Sequence, residues 1–515
     1  MTKEKKYIIY GIVVIMIVVI GTTLAYFAAK IVGDTKPISV TTANLRIIFN
    51  NGDGTITGTD LEPGGYDETK TFSIQNDSDR EYKYNIIIKD LVNTFVTEGY
   101  LVYKITNTSN NGGYSMTEFK DIPKSSSARD AVLAYSISIP AGVTQEYSIQ
   151  IKYLNDADVN QSEDMEKEVT GKLFITEGTD APIPLMTAIL RDNPTVSERT
   201  DFSVTNTANT TGTIYKTNKT EDGSDVYYYS GNTSKNWVKF AGFYWRIIRT
   251  NEDKSVRLLY AGTTHDTTTG YIETSAYNST YNNPMYVGYM YGTSGSLENN
   301  RTNTNDSTIK TVIDKWYEDN LLTNYDKYIS KDALYCNDRS TQNNSYSTSS
   351  RFSYGASTRL DTNKTPTYKC GGDGNGGLFE SAQAVADKFS ASTSGGGNGQ
   401  LTYPIALMTA DEVAFAGGLK FTSLNSPYAW YYTNSQGESI IGDNWWWSLS
   451  PIVWDGSGAL VWIVYGSVSP GRLGGYNVQG GYGVRPSVSL ASCVGIKSGN
   501  GTPESAYEID ESSCS

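Results

Sequence analysis

Few residues of this chain are equipped for covalent or metal chemistry. The sequence holds a single histidine, His265. One imidazole cannot build a multi-histidine metal site, and there is no H-E-x-x-H motif. A Ser-His-Asp triad would have to use His265, which sits among Thr263, Thr264, Asp266 and Thr267 and reads as a polar loop residue. A carboxylate pair could serve glycoside hydrolysis. Asp411 and Glu412 are adjacent, so they do not face one another, and neither Asp443 nor Asp455 has an identified partner. Glu412 follows Thr409 by three residues, the spacing of a helix capping box, and reads as a cap. Asp53, Asp60 and the Asp373-Gly374-Asn375 turn offer oxygens to calcium. Neither stretch follows the EF-hand pattern, and both read as turns. The expectation is therefore no enzyme, no metal and no cofactor.

Cys336, Cys370, Cys493 and Cys514 allow three disulfide pairings. No C-x-x-C spacing suggests a redox or metal site. Cys336–Cys370 and Cys493–Cys514 each close a short local loop and are the expected bridges, each contributing roughly 3 kcal/mol.

The chemistry the sequence does favour is recognition. Gly456, Gly458, Gly471, Gly474, Gly475, Gly480 and Gly481 mark tight turns near the C-terminus. Between them stand Val453, Trp454, Tyr465, Arg472, Tyr476, Gln479 and Tyr482, large side chains that core packing alone need not supply. Aromatic rings and arginine on glycine-flanked loops give rigid contact area at low entropic cost. The surrounding pattern reads strand, loop, hairpin, loop, strand, from Asn444-Trp445-Trp446-Trp447 through Ala459–Val464 to Gly483-Val484-Arg485-Pro486. Of the three consecutive tryptophans, at least one should be core and one at least half exposed. Arg485 reads as structural.

The elements that must hold these loops begin upstream. Residues 237–249 predict two strands around a turn at Gly242, and Val256, Leu258 and Tyr260 continue the alternation. A helix with Ser307 as N-cap should follow, then one near Leu378–Phe389 and one from Thr409 to the Gly417-Gly418 stop. Residues 33–178 carry period-two runs, such as Tyr82, Tyr84, Ile86, Ile88 and Tyr147, Ile149, Ile151, Tyr153, which predict a β-sandwich. Residues 179–232, with three prolines and a Thr/Asn-rich run, read as a linker or loose wrap.

The N-terminus sets the compartment. Lys3, Lys5 and Lys6 precede an uncharged run from Tyr7 to Ala29, closed by Lys30. The run is long enough to span a bilayer, and the leading lysines predict an inside N-terminus. Residues 1–32 are expected to be a transmembrane signal anchor, or a signal peptide cut near Thr23-Leu24-Ala25, placing the rest at the extracellular face of the membrane. The chain has 515 residues, with 42 basic and 55 acidic, a net charge of −13, and 39 tyrosines. Without a concentrated basic patch, no nucleic-acid partner is expected.

Two resemblances follow from these residues. Gly21-Thr22-Thr23-Leu24-Ala25-Tyr26-Phe27, Ala43-Asn44-Leu45-Arg46-Ile47 and Leu61-Glu62-Pro63-Gly64-Gly65 resemble the camelysin/TasA-like family. That resemblance implies a jelly-roll-like surface or matrix protein of Gram-positive bacteria, with homo-oligomers through sandwich edge strands as one role. The family's protease description finds no zinc-ligand cluster here. Residues 237–510 resemble a C-terminal domain of bacterial surface proteins patterned W-W-x-x-S-P through G-V-R-P. That domain is similar to the C-type-lectin-like fold of formylglycine-generating enzymes and of the variable proteins of diversity-generating retroelements. The resemblance implies an α+β lectin-like domain over 233–515 for adhesion or ligand display. Carried over position by position, its ligand-binding surface is Val453, Trp454, Asp455, Ser457, Trp462, Tyr465, Ser467, Arg472, Tyr476 and Gln479. The function expected is a membrane-anchored adhesion protein presenting this surface to a cell-surface protein or glycan, on a β-sandwich stalk. The alternative is a structural fibre or matrix subunit.

Overall fold

The computed structural model describes residues 38–42, 45–50, 62–97, 99–178, 183–342, 345–370, 387–392 and 399–514. The expected signal anchor (1–32), Asp53, Asp60 and the Asp373-Gly374-Asn375 turn lie outside them. So does most of the helix expected near Leu378–Phe389, and its last two residues belong instead to a strand, Lys388–Ser390. Among the described residues, no helix is long and apolar enough to cross a membrane. The chain is mostly β and divides into two compact units, Met1–Asp180 and Ala181–Ser515.

The first unit is a sandwich of two antiparallel sheets. Its strands are β1 (Ile38–Thr42), β2 (Leu45–Asn50), β3 (Tyr66–Asn76), β4 (Tyr82–Asn93), β5 (Leu101–Asn107), β6 (Lys120–Asp121), β7 (Ser125–Ile139), β8 (Thr144–Tyr153) and β9 (Val169–Glu177). One sheet runs β1-β2-β3-β8-β5-β6 and the other β7-β4-β9. Alternation decides the packing: Tyr147, Ile149, Ile151 and Tyr153 of β8 are buried, together with Phe72 and Ile74 of β3, which pairs beside it. Fully burying such a side chain contributes about 1.5–3 kcal/mol. The polar tips inside are satisfied, as buried polar groups must be. The Tyr84 hydroxyl meets Gln145 Oε1 at 2.5 Å and the Tyr147 hydroxyl at 2.6 Å.

The second unit is built on two larger sheets. The first contains β10 (Ile183–Pro184), β11 (Thr195–Ser197), β12 (Thr213–Thr217), β13 (Val226–Tyr228), β14 (Trp237–Phe240), β15 (Phe243–Thr250) and β16 (Val256–Gly262). Its path is β10, Gly495–Ser498, Tyr507–Ile509, β14, β15, β13, β12, β11. On the other side of β15, β16 pairs with Pro486–Leu490, which pairs with Ile405–Leu407. Four strands of this sheet come from residues 179–232, the stretch expected to be a linker. The stretch docks by scattered apolar burial, with Leu185, Ile189, Phe202, Ile214 and Val226 in the core, and by hydrogen bonds: Asn206 N–H donates to Gly417 O and Asn232 Nδ2 to Tyr428 O.

The second sheet pairs Trp446–Trp454 with Ala459–Val464, and the latter with Leu473–Asn477; Tyr482–Gly483, Thr274–Ser275 and Phe352–Ser353 complete it. Helices are few. Thr308–Asn320 starts at the Ser307 cap and buries Ile309, Ile313 and Tyr317. Ala410–Phe415 opens with the Thr409–Glu412 capping box. Cys336–Cys370 and Cys493–Cys514 are bridged, with Cα separations of 5.3 and 5.2 Å.

Candidate functional site

The ten residues expected to contact a ligand separate into two groups. Val453, Trp454 and Trp462 are core side chains, exposed by 8%, 1% and 0%. This corrects the expectation for those three. They lie on Trp446–Trp454 and Ala459–Val464, a hairpin whose neighbours cover both faces, so alternation does not bring any of them to the surface. Asp455, Ser457, Ser467, Tyr476 and Gln479 are exposed, and Tyr465 and Arg472 are half-buried. Asp455 is occupied in its own turn, accepting from the Ser457 and Gly458 amides at 2.8 and 2.6 Å. Gln479 Nε2 donates to Ser279 O at 2.8 Å, and Ser467 Oγ hydrogen-bonds Asp443.

What remains is an aromatic platform. Half-buried Trp445 is its hub, with ring centroids 4.4 Å from Tyr465, 4.9 Å from Tyr482 and 5.5 Å from Tyr476. Tyr476 and Tyr482 meet edge to face at 5.1 Å. Below them Trp447 lies fully buried, 5.1 Å from Tyr482. Trp446 is also buried, so of the three tryptophans only Trp445 reaches the surface. Glycines make room for the rings as well as turning the chain. A Cβ on Gly474 would lie 2.6 Å from a Tyr465 ring carbon, and one on Gly480 would lie 2.4 Å from the Tyr482 ring. Burial, then the neighbouring Tyr476 hydroxyl, pushes the Tyr482 phenol above its ordinary range, so it stays a neutral hydroxyl.

Beside the platform, the Arg472 guanidinium lies 5.2 Å from the Tyr465 ring centre and 5.1 Å from that of Phe421. Phe421 is 58% exposed and has a left-handed backbone, φ +54°. Sequence reasoning missed it. The available signal was a lone large apolar residue between Lys420 and Thr422, just past a helix stop.

The support under the platform is a buried arginine. Arg485 donates to Tyr260 O at 3.1 Å and Tyr431 O at 2.8 Å, and its guanidinium lies over the Trp446 ring at 4.9 Å. Burial lowers its pKa to about 9. It ties the start of Pro486–Leu490 to β16 through carbonyls, the structural role its sequence position suggested.

A cavity of about 250 Å³ lies elsewhere in this unit, lined by Arg249, Arg257, Arg359, Asp338, Asp411 and Glu412, among others. These charges neutralise one another. Glu412 takes Arg257 at 2.8 Å and Arg249 at 3.2 Å, and Arg359 bridges Asp338 at 2.7 Å and Asp411 at 3.0 Å. Burial alone would push the Glu412 carboxyl up; Arg257 and Arg249 outweigh it and hold the group below its ordinary range. A carboxylate held ionised and capped in this way is poorly placed to donate a proton. His265 is hydrogen-bonded through Nδ1 to Ser435 Oγ at 2.8 Å and packs edge-on to Tyr244. Among the described residues, no group of three or more His, Cys, Asp or Glu side chains could hold a metal ion.

The sequence matches no family model and no curated protein. Among solved structures, it has a weak likeness to AvmM, which catalyses macrocyclisation in alchivemycin A biosynthesis. The identity is 8% and the TM-score 0.16, over 28% of this chain and 99% of that one. A family 123 glycoside hydrolase from Clostridium perfringens gives 12% identity and a TM-score of 0.11, over 27% of this chain and 25% of that one. Scores this low carry no argument about fold or function.

Proposed function

We propose that this chain is a membrane-anchored extracellular binding protein that presents a lectin-like ligand surface on its second unit. The carrying observation is the platform of Trp445, Tyr465, Tyr476 and Tyr482, four packed rings of which Tyr476 is exposed and the other three half-buried at the edge of the core. Clustered aromatic side chains with polar tips favour recognition over stability, because they offer apolar area and hydroxyls together. Two disulfides and the lysine-led apolar N-terminal run support an oxidising, extracellular setting. We read the sandwich as jelly-roll-like and the second unit as C-type-lectin-like, in keeping with the sequence resemblances.

The test is binding by the full chain in detergent to cell-surface extracts and a glycan panel, beside a Trp445→Ala/Tyr476→Ala variant. Binding that the folded variant loses supports the reading. Equal binding by both, or none by the wild type, refutes it.

A fibre or matrix subunit is the second reading. Its support is that the sheet orders leave β1, β6, β7 and β9 at sheet ends, where another copy could pair. Sedimentation and electron microscopy at increasing concentration distinguish this reading by filament growth.

A further inference from the structure

Arg472 stands beside the platform and joins it through Tyr465. Its guanidinium stands beside two aromatic rings, Phe421 and Tyr465. Its Nε is buried and has no hydrogen-bond partner. Among the described residues, no carboxylate pairs with it. The neighbouring Lys420 is paired with Asp361. Aromatic walls hold a guanidinium in place by cation–π attraction while leaving its charge uncompensated.

Phe421 adds an independent observation. Phe421 holds φ +54°, a region disfavoured for a residue with a Cβ, and its ring stays 58% exposed, with Lys420 and Arg472 over it at 4.8 and 5.1 Å. Backbone strain spent on displaying an aromatic ring beside an uncompensated cation points to a ligand rather than to folding.

We propose that the ligand is a saccharide bearing a carboxylate, which seats on Arg472 between Phe421 and Tyr465 while adjoining sugar rings stack on Trp445 and Tyr476. The inference rests on the platform being the binding surface and deepens that reading. Tyr465 joins the two parts, since it touches both Trp445 and Arg472. The apolar C–H face of a pyranose matches an aromatic face, and its hydroxyls match neutral phenols. One uncompensated guanidinium matches one carboxylate, by a charge-assisted hydrogen bond. An acidic peptide would satisfy Arg472 but would leave the stacked rings without flat partners.

The test uses the full chain in detergent against pectate, alginate, hyaluronan and colominic acid, each beside its carboxyl-reduced form. Carboxyl reduction removes the charge and keeps the polymer. The expected result is binding to at least one acidic polymer, weakened about tenfold or more by reduction, the affinity counterpart of ~1.4 kcal/mol. Arg472→Gln should abolish that preference, and Arg472→Lys should restore part of it. Phe421→Ser, at an exposed site, should weaken the acidic polymer while leaving thermal stability unchanged or higher. Carboxyl reduction needs no variant, so the proposal stays refutable even if Arg472→Gln does not fold. Equal binding to acidic and reduced forms overturns it, as does binding to none of the four. A preference that survives Arg472→Gln in a folded protein also overturns it. If cell-surface binding is lost in Trp445→Ala/Tyr476→Ala yet ignores carboxyl reduction, the platform reading stands and this inference alone falls.

Discussion

Glu412→Gln isolates the charged cluster at the cavity. The side chain is 2% exposed and does three things at once: it pairs Arg257 at 2.8 Å, pairs Arg249 at 3.2 Å, and accepts the Thr409 amide at 2.9 Å in the capping box. Glutamine keeps the shape and an oxygen for the cap but removes the charge. Two buried guanidiniums then lose their shared counter-ion, which costs about 3–5 kcal/mol. Across Ala181–Ser515, an unfolding entropy of about 2 cal/mol/K per residue gives ~0.7 kcal/mol per degree, so Tm should fall by roughly 4–7 °C. The pH dependence follows from the same pairing. The folded Glu412 carboxyl titrates below its ordinary value of 4.5, so its contribution is complete above that pH and is lost as pH falls through the folded value. The Tm gap between wild type and variant should therefore narrow as pH drops below about 4. Scanning calorimetry from pH 7 to 3, with the exposed Glu504→Gln as a control, measures both. A Tm unchanged within a degree, or a gap that widens in acid, would refute the claim that Glu412 is held ionised as the hub of this network. Loss of ligand binding without loss of stability would refute its structural role.

Three further outcomes are expected. Trp462→Ala should cost about 3–5 kcal/mol in denaturant unfolding, as for a buried ring, and leave ligand affinity of the folded fraction unchanged; unchanged stability with lost binding would restore it to the surface. Removing the Cys336–Cys370 bridge, which spans 34 residues, should cost about 4 kcal/mol, and removing Cys493–Cys514, which spans 21, about 3 kcal/mol, both read by guanidinium titration of Cys→Ser pairs. Gly474→Ala should displace the Tyr465 ring and weaken binding several-fold while shifting stability by no more than about 1 kcal/mol, because the clash is with the far end of a side chain; calorimetry beside a binding titration would expose a variant that merely unfolds.

The sandwich was legible because its alternation is strict. Residues such as Tyr147, Ile149, Ile151 and Tyr153 can all face inward only on an extended strand. The disulfides were legible because short loops favour local closure, and the Thr409–Glu412 cap because its spacing is local. The C-terminal hairpin was also readable, but not which of its side chains reach the surface. Trp462 and Trp454 stand among glycines just as Tyr465 and Tyr476 do. Only the packing of neighbouring strands on both faces buries the first pair and leaves the second at the edge. The docking of residues 183–228 was hidden because its buried apolar residues, such as Leu185, Ile189, Ile214 and Val226, are scattered through a polar stretch and meet partners distant in the chain. Phe421 was hidden for a related reason: its neighbour Arg472 lies fifty-one positions away, and chain closure brings them together. Local periods, caps and bridges can be read along the chain, since these depend on residues close in it. Tertiary structure decided burial and charge compensation, because both depend on what arrives from elsewhere in the chain.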